Sequence, residues 1–349
     1  MIEKIHKFPY KWNLSDGYPA KGVDYHGCKV FGTFICGGGS SMGYKLAGFE
    51  HLGGVEIDKE VADIYNTNHS PKYLYNEDIR QFLERDDIPE ELFSLDLLDG
   101  SPPCSTFSMA GSREDAWGKK KQFREGQTKQ TLDDLVFVYC DLIIKLKPKV
   151  FLLENVKGII QGNAKVYSKK IVQKMEMAGY VVQVFCLNAA SMGVPQKRER
   201  VFFIGHKKEF VLPKLKMEFN EKPILFGEIK QNDKIFTENE YIKKWNSVKQ
   251  GEMFENSFST YKLSDKEVCP TLTGTQRKSF YTGLLHSTEP RKLNTKEFCL
   301  IGSYALDYNF KKHNNENFES YLIGMSVPPV MTAQISHQIY LQWLGKIKG

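Results

Sequence analysis

At 349 residues the chain can bury a large core, and its length suggests one large or two modest domains. Hydrophobic residues make up 41% and charged residues 26%, an ordinary balance for a soluble globular protein, and the net charge of +6 permits a polyanionic partner without demanding one. Seven cysteines with no CxxC pair argue against a disulfide framework or zinc site, and no signal peptide or bilayer-length apolar run is evident, so a soluble cytoplasmic protein is expected.

Residues 1–28 show no clear period and read as an N-terminal extension. From Lys29 the pattern becomes strand, glycine turn and helix, repeated. Val30 to Ile35 reads as a strand, Ser41 to Ala47 as a helix, Leu52 to Ile57 as a strand and Lys59 to Asn66 as a helix. Phe93 to Leu98 is a further strand, stopped by Asp99-Gly100. Thr131 to Leu146 is an amphipathic helix ended by Pro148, and Val150 to Leu153 is a short, fully apolar strand. This alternation predicts an α/β fold with a doubly wound, mostly parallel sheet. Val181 to Leu187 and Val201 to Ile204 look like an antiparallel pair at one edge. The period is lost beyond His206, and a final amphipathic helix runs from about Met331 to Leu344.

The chain is organised around Asp99-Gly100-Ser101-Pro102-Pro103-Cys104. Two prolines fix the backbone and present one cysteine at a strand end, where a nucleophile would be placed. An arbitrary cysteine is more often a buried, inert small hydrophobe; the surroundings of Cys104 favour the nucleophile. Phe34-Ile35-Cys36-Gly37-Gly38-Gly39 is a glycine-rich turn before a helix, which lets a ligand approach the backbone. Glu56-Ile57 closes the second strand about 20 residues on, placed to hydrogen-bond ribose hydroxyls. Asp78-Ile79 offers a further carboxylate, suited to an adenine amino group. Each acid alone reads equally as a helix cap or a surface charge; in series they fit an adenosine ligand without a pyrophosphate. Glu154-Asn155-Val156 follows an apolar strand parallel to the one carrying Cys104, so Glu154 is expected at the same sheet edge, with a helix cap through Asn155 as the plain alternative. Gln196-Lys197-Arg198-Glu199-Arg200 is a cationic loop suited to phosphates and to holding carboxylates.

From about Lys29 onward the chain resembles the DNA (cytosine-5)-methyltransferases. The glycine turn matches their methyl-donor motif, Pro103-Cys104 their nucleophile motif, and Glu154-Asn155-Val156 their Glu-Asn-Val motif. Gln196 to Arg200 matches Gln-x-Arg-x-Arg. Arg291-Lys292-Leu293 with Glu297 resembles the motif after the recognition region, and Gly324-Met325-Ser326-Val327-Pro328-Pro329 the Gly-Asn-Ser-Val-Pro motif. Cys36 stands for a glycine, Ser105 for a common glutamine, Asn294 for a usual threonine and Met325 for an asparagine.

The resemblance implies methyl transfer from S-adenosylmethionine to carbon 5 of a flipped-out cytosine in duplex DNA, leaving S-adenosylhomocysteine, with no metal. It assigns catalysis to Cys104, Glu154, Arg198 and Arg200. Donor binding would fall to Phe34, Cys36, Gly37, Gly38, Gly39, Glu56, Ile57, Asp78, Ile79, Pro103, Leu132 and Ser326. DNA contacts would come from Lys119, Lys120, Lys121 and Arg124, in a segment able to close over the base, and from Thr271, Leu272 and Thr273. The expected division is a catalytic domain of residues 29–206 plus 324–349 and a target-recognition domain of residues 207–323. A monomer is expected, with a cognate restriction endonuclease as a candidate partner and no membrane. A transfer-RNA methyltransferase with the same catalytic domain is the rival, lowered by the absence of its Cys-Phe-Thr signature. An NAD-dependent oxidoreductase has no use for this order of cysteine, glutamate and arginines, and a silent DNA-binding module would not need both Cys104 and Glu154.

Overall fold

Leu97 and Leu98 are adjacent in sequence and fully buried on opposite faces of a sheet, the first with Val30, Val150 and Ile204, the second with Phe31, Phe151 and Phe203. Side chains alternate across a strand, so strands covered on both faces must be apolar throughout, as these are. The computed structural model describes residues 6–103, 134–233, 239–254, 260–274, 283–310 and 318–347. Cys104, Leu132, Lys119, Lys120, Lys121 and Arg124 lie outside the described residues.

The first half runs β1 (Lys29–Thr33), α1 (Gly39–Leu46), β2 (Glu50–Val55), α2 (Lys59–His69), β3 (Tyr73–Tyr75), α3 (Ile79–Glu84), β4 (Leu97–Gly100), α4 (Leu135–Leu146) and β5 (Val150–Val156). After α5 (Lys165–Met177) come β6 (Tyr180–Asn188), β7 (Gln196–Lys197) and β8 (Glu199–Lys207). The main sheet has the order β3-β2-β1-β4-β5-β8-β6. The strands β1 to β5 are parallel to one another, and β8 is antiparallel to both β5 and β6. The mostly parallel, doubly wound sheet with an antiparallel edge pair is the fold expected from the sequence.

One strand differs from expectation. Phe93 ends a short 3-10 turn (Glu90–Phe93), and β4 runs on through Asp99-Gly100 instead of stopping there. Asp99 can remain in the strand because its carboxyl finds a buried partner: Tyr44 donates its hydroxyl to Oδ1 at 3.0 Å. Gly100 is required because a Cβ there would lie 2.4 Å from the Tyr139 ring.

Beyond β8 the elements are short: α6 (Phe226–Ile229), α7 (Asn239–Asn246), β9 (Thr260–Lys262), β10 (Cys269–Pro270) and β11 (Gly283–Leu285). β9 pairs with β11, and β10 pairs with β7, each in parallel. The chain returns through α8 (Thr295–Gly302), whose N-cap is Asn294. The Asn294 side chain accepts from Glu297 N–H and the Glu297 carboxylate accepts from Asn294 N–H, so this asparagine performs the capping a threonine would. Glu297 also takes both terminal nitrogens of Arg291, at 2.8 and 3.0 Å.

α9 (Phe318–Met325) and α10 (Pro329–Ile339) follow, and helical structure continues to Ile347. Pro329 at the first turn of α10 needs no N–H partner there, which fixes the helix start two residues earlier than its apolar pattern suggests. The N-terminal stretch is irregular apart from Leu14–Asp16, yet Phe8 and Trp12 are core residues. Trp12 donates Nε1–H to Ser303 O and its own carbonyl accepts from Leu306 N–H, tying this stretch to the segment after α8. No helix among the described residues is long and apolar enough to cross a membrane.

Candidate active site

Parallel strands deliver their C-terminal ends to one edge of the sheet, and that edge collects the acids and turns singled out in the sequence. β5 ends with Glu154, Asn155 and Val156, and β4 leads into Ser101-Pro102-Pro103. The Asn155 amide donates to Pro102 O at 3.4 Å, and its Oδ1 accepts from Val156 N–H at 2.9 Å. Asn155 therefore stitches the Pro-Pro turn to β5 and caps no helix.

Glu154 is 8% exposed. Its Oε1 lies 3.0 Å from Nε of Arg200, which β8 brings opposite the end of β5 in antiparallel register. The other expected arginine does different work. Arg198 is 3% exposed and donates Nη1–H to Leu272 O at 3.1 Å and to Gly324 O at 3.0 Å. It joins the segment after β10 to the last turn of α9. Burial, then the neighbouring Arg200 charge, lowers its guanidinium to about 9. Arg200 is thus the partner of Glu154, and Arg198 is a strut beneath it.

The glycine turn lies at the same edge, after β1. Phe34 and Cys36 have φ of 56° and 47°, left-handed values that are uncommon for residues with a Cβ and cluster at functional sites. Two of the three glycines are demanded from the protein side. A Cβ on Gly38, itself at φ 74°, would fall 2.1 Å from His69 Nε2, and one on Gly39 would fall 2.2 Å from Val327 O. Tyr308 donates its hydroxyl to Gly37 O at 2.8 Å, and Tyr304 donates to Ser326 Oγ. The Cys36 thiol points to Leu322 O at 4.0 Å, and burial and then the Glu56 charge push it up to about 12. Cys36 is therefore not a reactive thiolate.

Glu56 accepts from Cys36 N–H and from Asp58 N–H, both at 2.9 Å, and burial pushes it up to about 7. Beside it Ile57 is 41% exposed, a large apolar side chain in the open. An acid, an open apolar face and a strained turn at one strand edge fit an adenosine ligand. Asp78 caps α3, accepting from Arg80 N–H at 2.9 Å and pairing with the Arg80 guanidinium. Its neighbour Ile79 is buried in the core.

Of the expected DNA contacts, Leu272 lies elsewhere. Leu272 is fully buried, its N–H taken by Gln196 and its carbonyl by Arg198, so its side chain belongs to the core and not to a DNA-facing surface. Thr271 and Thr273 on either side are more exposed, and Thr271 donates its hydroxyl to Lys197 O at 2.6 Å. Sequence reasoning also missed Tyr44, His69, Tyr304 and Tyr308 around the turn, and Asp99 below it. Of these only Asp99 carried a signal: an acid inside an otherwise apolar strand.

Residues 29–341 match the model of the C-5 cytosine-specific DNA methylases. The chain is 36% identical over 184 residues to the Type II methyltransferase M.FnuDI of Fusobacterium nucleatum, covering 52% of this chain and 47% of that one. Against M.FnuDI and M.NgoPII of Neisseria gonorrhoeae the match spans about half of the relative's length. With M1.HphI of Haemophilus parahaemolyticus it is 27% identical, over 88% of this chain and 85% of the relative. A protein of an E. coli prophage, described as a DNA modification methyltransferase, superposes with a TM-score of 0.70 at 21% identity, over 90% of this chain and 99% of that one. By the family match across most of its length, the chain belongs to the C-5 cytosine-specific DNA methylases.

Proposed function

We propose that this chain methylates carbon 5 of a cytosine within a specific duplex DNA sequence, as the modification enzyme of a Type II restriction-modification system. The observation that carries the reading is the buried Glu154–Arg200 pair beside a Pro-Pro turn that Asn155 holds in place. The names of the relatives support DNA as the substrate and a cognate nuclease as the partner.

S-Adenosylmethionine would supply an electrophilic methyl group. Glu56 and Ile57 would hold its adenosine part, with Phe34, Cys36 and the glycines beneath and Ser326 closing the far side. Asp78, already engaged as a helix cap, would contribute through the loop it fixes.

Carbon 5 of cytosine is a poor nucleophile, so the ring must first be made electron-rich. The Cys104 thiolate would add to carbon 6. Glu154 would hydrogen-bond N3 and the exocyclic amine, stabilising the charge that arrives at N3. Arg200 fixes the carboxylate that does this. Carbon 5 would then take the methyl group, and loss of the carbon 5 proton to a base would restore the C5=C6 double bond as the carbon 6–sulfur bond breaks and frees the Cys104 thiolate. The base must leave the stack to reach these groups, and the basic residues Lys119, Lys120, Lys121 and Arg124 would hold phosphates meanwhile.

Residues 207 to about 289, with Thr271 and Thr273, would read the sequence. The test is bisulfite sequencing of DNA from cells expressing the protein. Methylation of one cytosine within a recurring sequence supports the reading. Unmodified DNA from cells holding folded wild-type protein would refute it.

A further inference from the structure

β4 lies between β1, which leads into the glycine turn, and β5, which delivers Glu154. A methyl group moving from a donor on that turn to a base held at Glu154 must cross above the end of β4. The strand's one charged residue, Asp99, is next to last and only 4% exposed. It stands in register with Gly32 of β1 and Leu152 of β5, and its carbonyl accepts from Thr33 Oγ1 at 3.2 Å.

The carboxyl of Asp99 accepts from Tyr44 Oη at 3.0 Å, and the nearby hydroxyl of Ser40, which directly follows the glycine turn, favours its ionised form. Glu154 on β5 faces it with a like charge, and Tyr65 of α2 and Tyr139 of α4 feel its field. Among the described residues no cation pairs with it. A buried carboxylate with neutral hydroxyls and a second acid for company is costly unless a positive charge arrives. S-Adenosylmethionine brings one. When its S–CH3 bond breaks, the bonding pair stays on sulfur and the sulfonium becomes a neutral thioether.

We propose that Asp99 is the counter-charge for the donor sulfonium and the residue that makes the site prefer the cationic donor to its neutral product. The proposal rests on the donor reading above. Burial holds Asp99 near neutrality, at about 7, so its ionisation can follow the charge beside it. Donor binding favours the carboxylate, whereas product binding leaves the acid free to take up a proton.

The experiment is calorimetric titration of the DNA-free full chain with S-adenosylmethionine and, separately, S-adenosylhomocysteine, from about pH 6 to about pH 8. The preference for donor over product should rise by roughly tenfold across that range as Asp99 ionises. Glu56 also titrates there, but both ligands share the ribose, so its effect cancels in the ratio. Asp99→Asn should flatten the ratio, and Glu56→Gln should leave its slope in place. Tyr44→Phe removes a hydrogen bond to the carboxylate and should move the midpoint to higher pH. A flat ratio in the wild type, an undiminished slope in Asp99→Asn, or an unmoved midpoint in Tyr44→Phe would each overturn the proposal. Failure of the wild type to bind either ligand would instead overturn the donor reading, and this proposal with it.

Discussion

Arg200 meets Glu154 with Nε 3.0 Å from Oε1, and the two side chains are only 15% and 11% exposed. The pair spans adjacent antiparallel strands, so its geometry is set by the register of β5 on β8 and not by a mobile loop. A carboxylate held in this way presents its free oxygen in a fixed direction, which is what a group stabilising developing charge requires.

Arg200→Ala should therefore slow methyl transfer by roughly a hundredfold or more, because Glu154 would lose both its orientation and its counter-charge. Affinity for S-adenosylmethionine should be unchanged. Single-turnover kinetics with saturating DNA separates the two effects; a loss confined to donor affinity would remove Arg200 from the chemistry.

Arg198 predicts a different phenotype. Its Nη1 serves two buried carbonyls, Leu272 O and Gly324 O. Arg198→Met keeps much of the volume but leaves both acceptors unsatisfied, at a cost of about 2–4 kcal/mol. Urea denaturation should show the lower midpoint, and an unchanged midpoint would mean the strut carries no load.

Glu56 makes stability depend on pH. Its folded value, about 7, lies above its ordinary value of 4.5, so the native state holds a proton there that the unfolded chain has released. Stability from this group is complete below about pH 4.5 and declines as pH rises, levelling off once pH passes about 7. Glu56→Gln removes the dependence. The difference between variant and wild type should shift toward the variant by up to about 3 kcal/mol between pH 5 and pH 8. Unfolding curves across that range check it; parallel curves would contradict the burial of this acid.

The segment after α8 packs against the glycine turn and the stretch before α10, with Tyr304 on Ser326 and Tyr308 on Gly37. A graft that exchanges the recognition segment should therefore span about Lys207 to Glu289 and stop before Arg291. Such a graft should change which cytosine is methylated while Cys104 chemistry persists, since base contacts specify and phosphate contacts position. Bisulfite sequencing reads the outcome, and an active graft that still modifies the original site would place recognition elsewhere.

The centre of the sheet was legible because its strands are buried on both faces. Val150 to Leu153 can be nothing but a central strand, and the shift from apolar runs to mixed ones marks the edge. The alternation could not say which arginine of Gln196 to Arg200 meets Glu154, because that depends on the two-residue strand β7 turning the chain before β8. Nor could it separate Leu272 from its threonine neighbours, since a Thr-Leu-Thr run carries no sign of the Gln196 and Arg198 side chains that bury its centre. The glycine turn was found, but for part of its reason only. Its crowding comes from His69 and Val327, which are distant in sequence and silent about the contact.

The most direct measurement traps the covalent intermediate. Duplex DNA carrying 5-fluorocytosine at the methylated position cannot lose its carbon 5 substituent as a proton, so the thiol cannot be eliminated once the methyl group has moved. With S-adenosylmethionine the wild-type protein should form a denaturation-resistant complex, and mass spectrometry should place the nucleotide on the peptide containing Cys104. Cys104→Ala should form none. A complex of undiminished yield in Cys104→Ala would contradict the account.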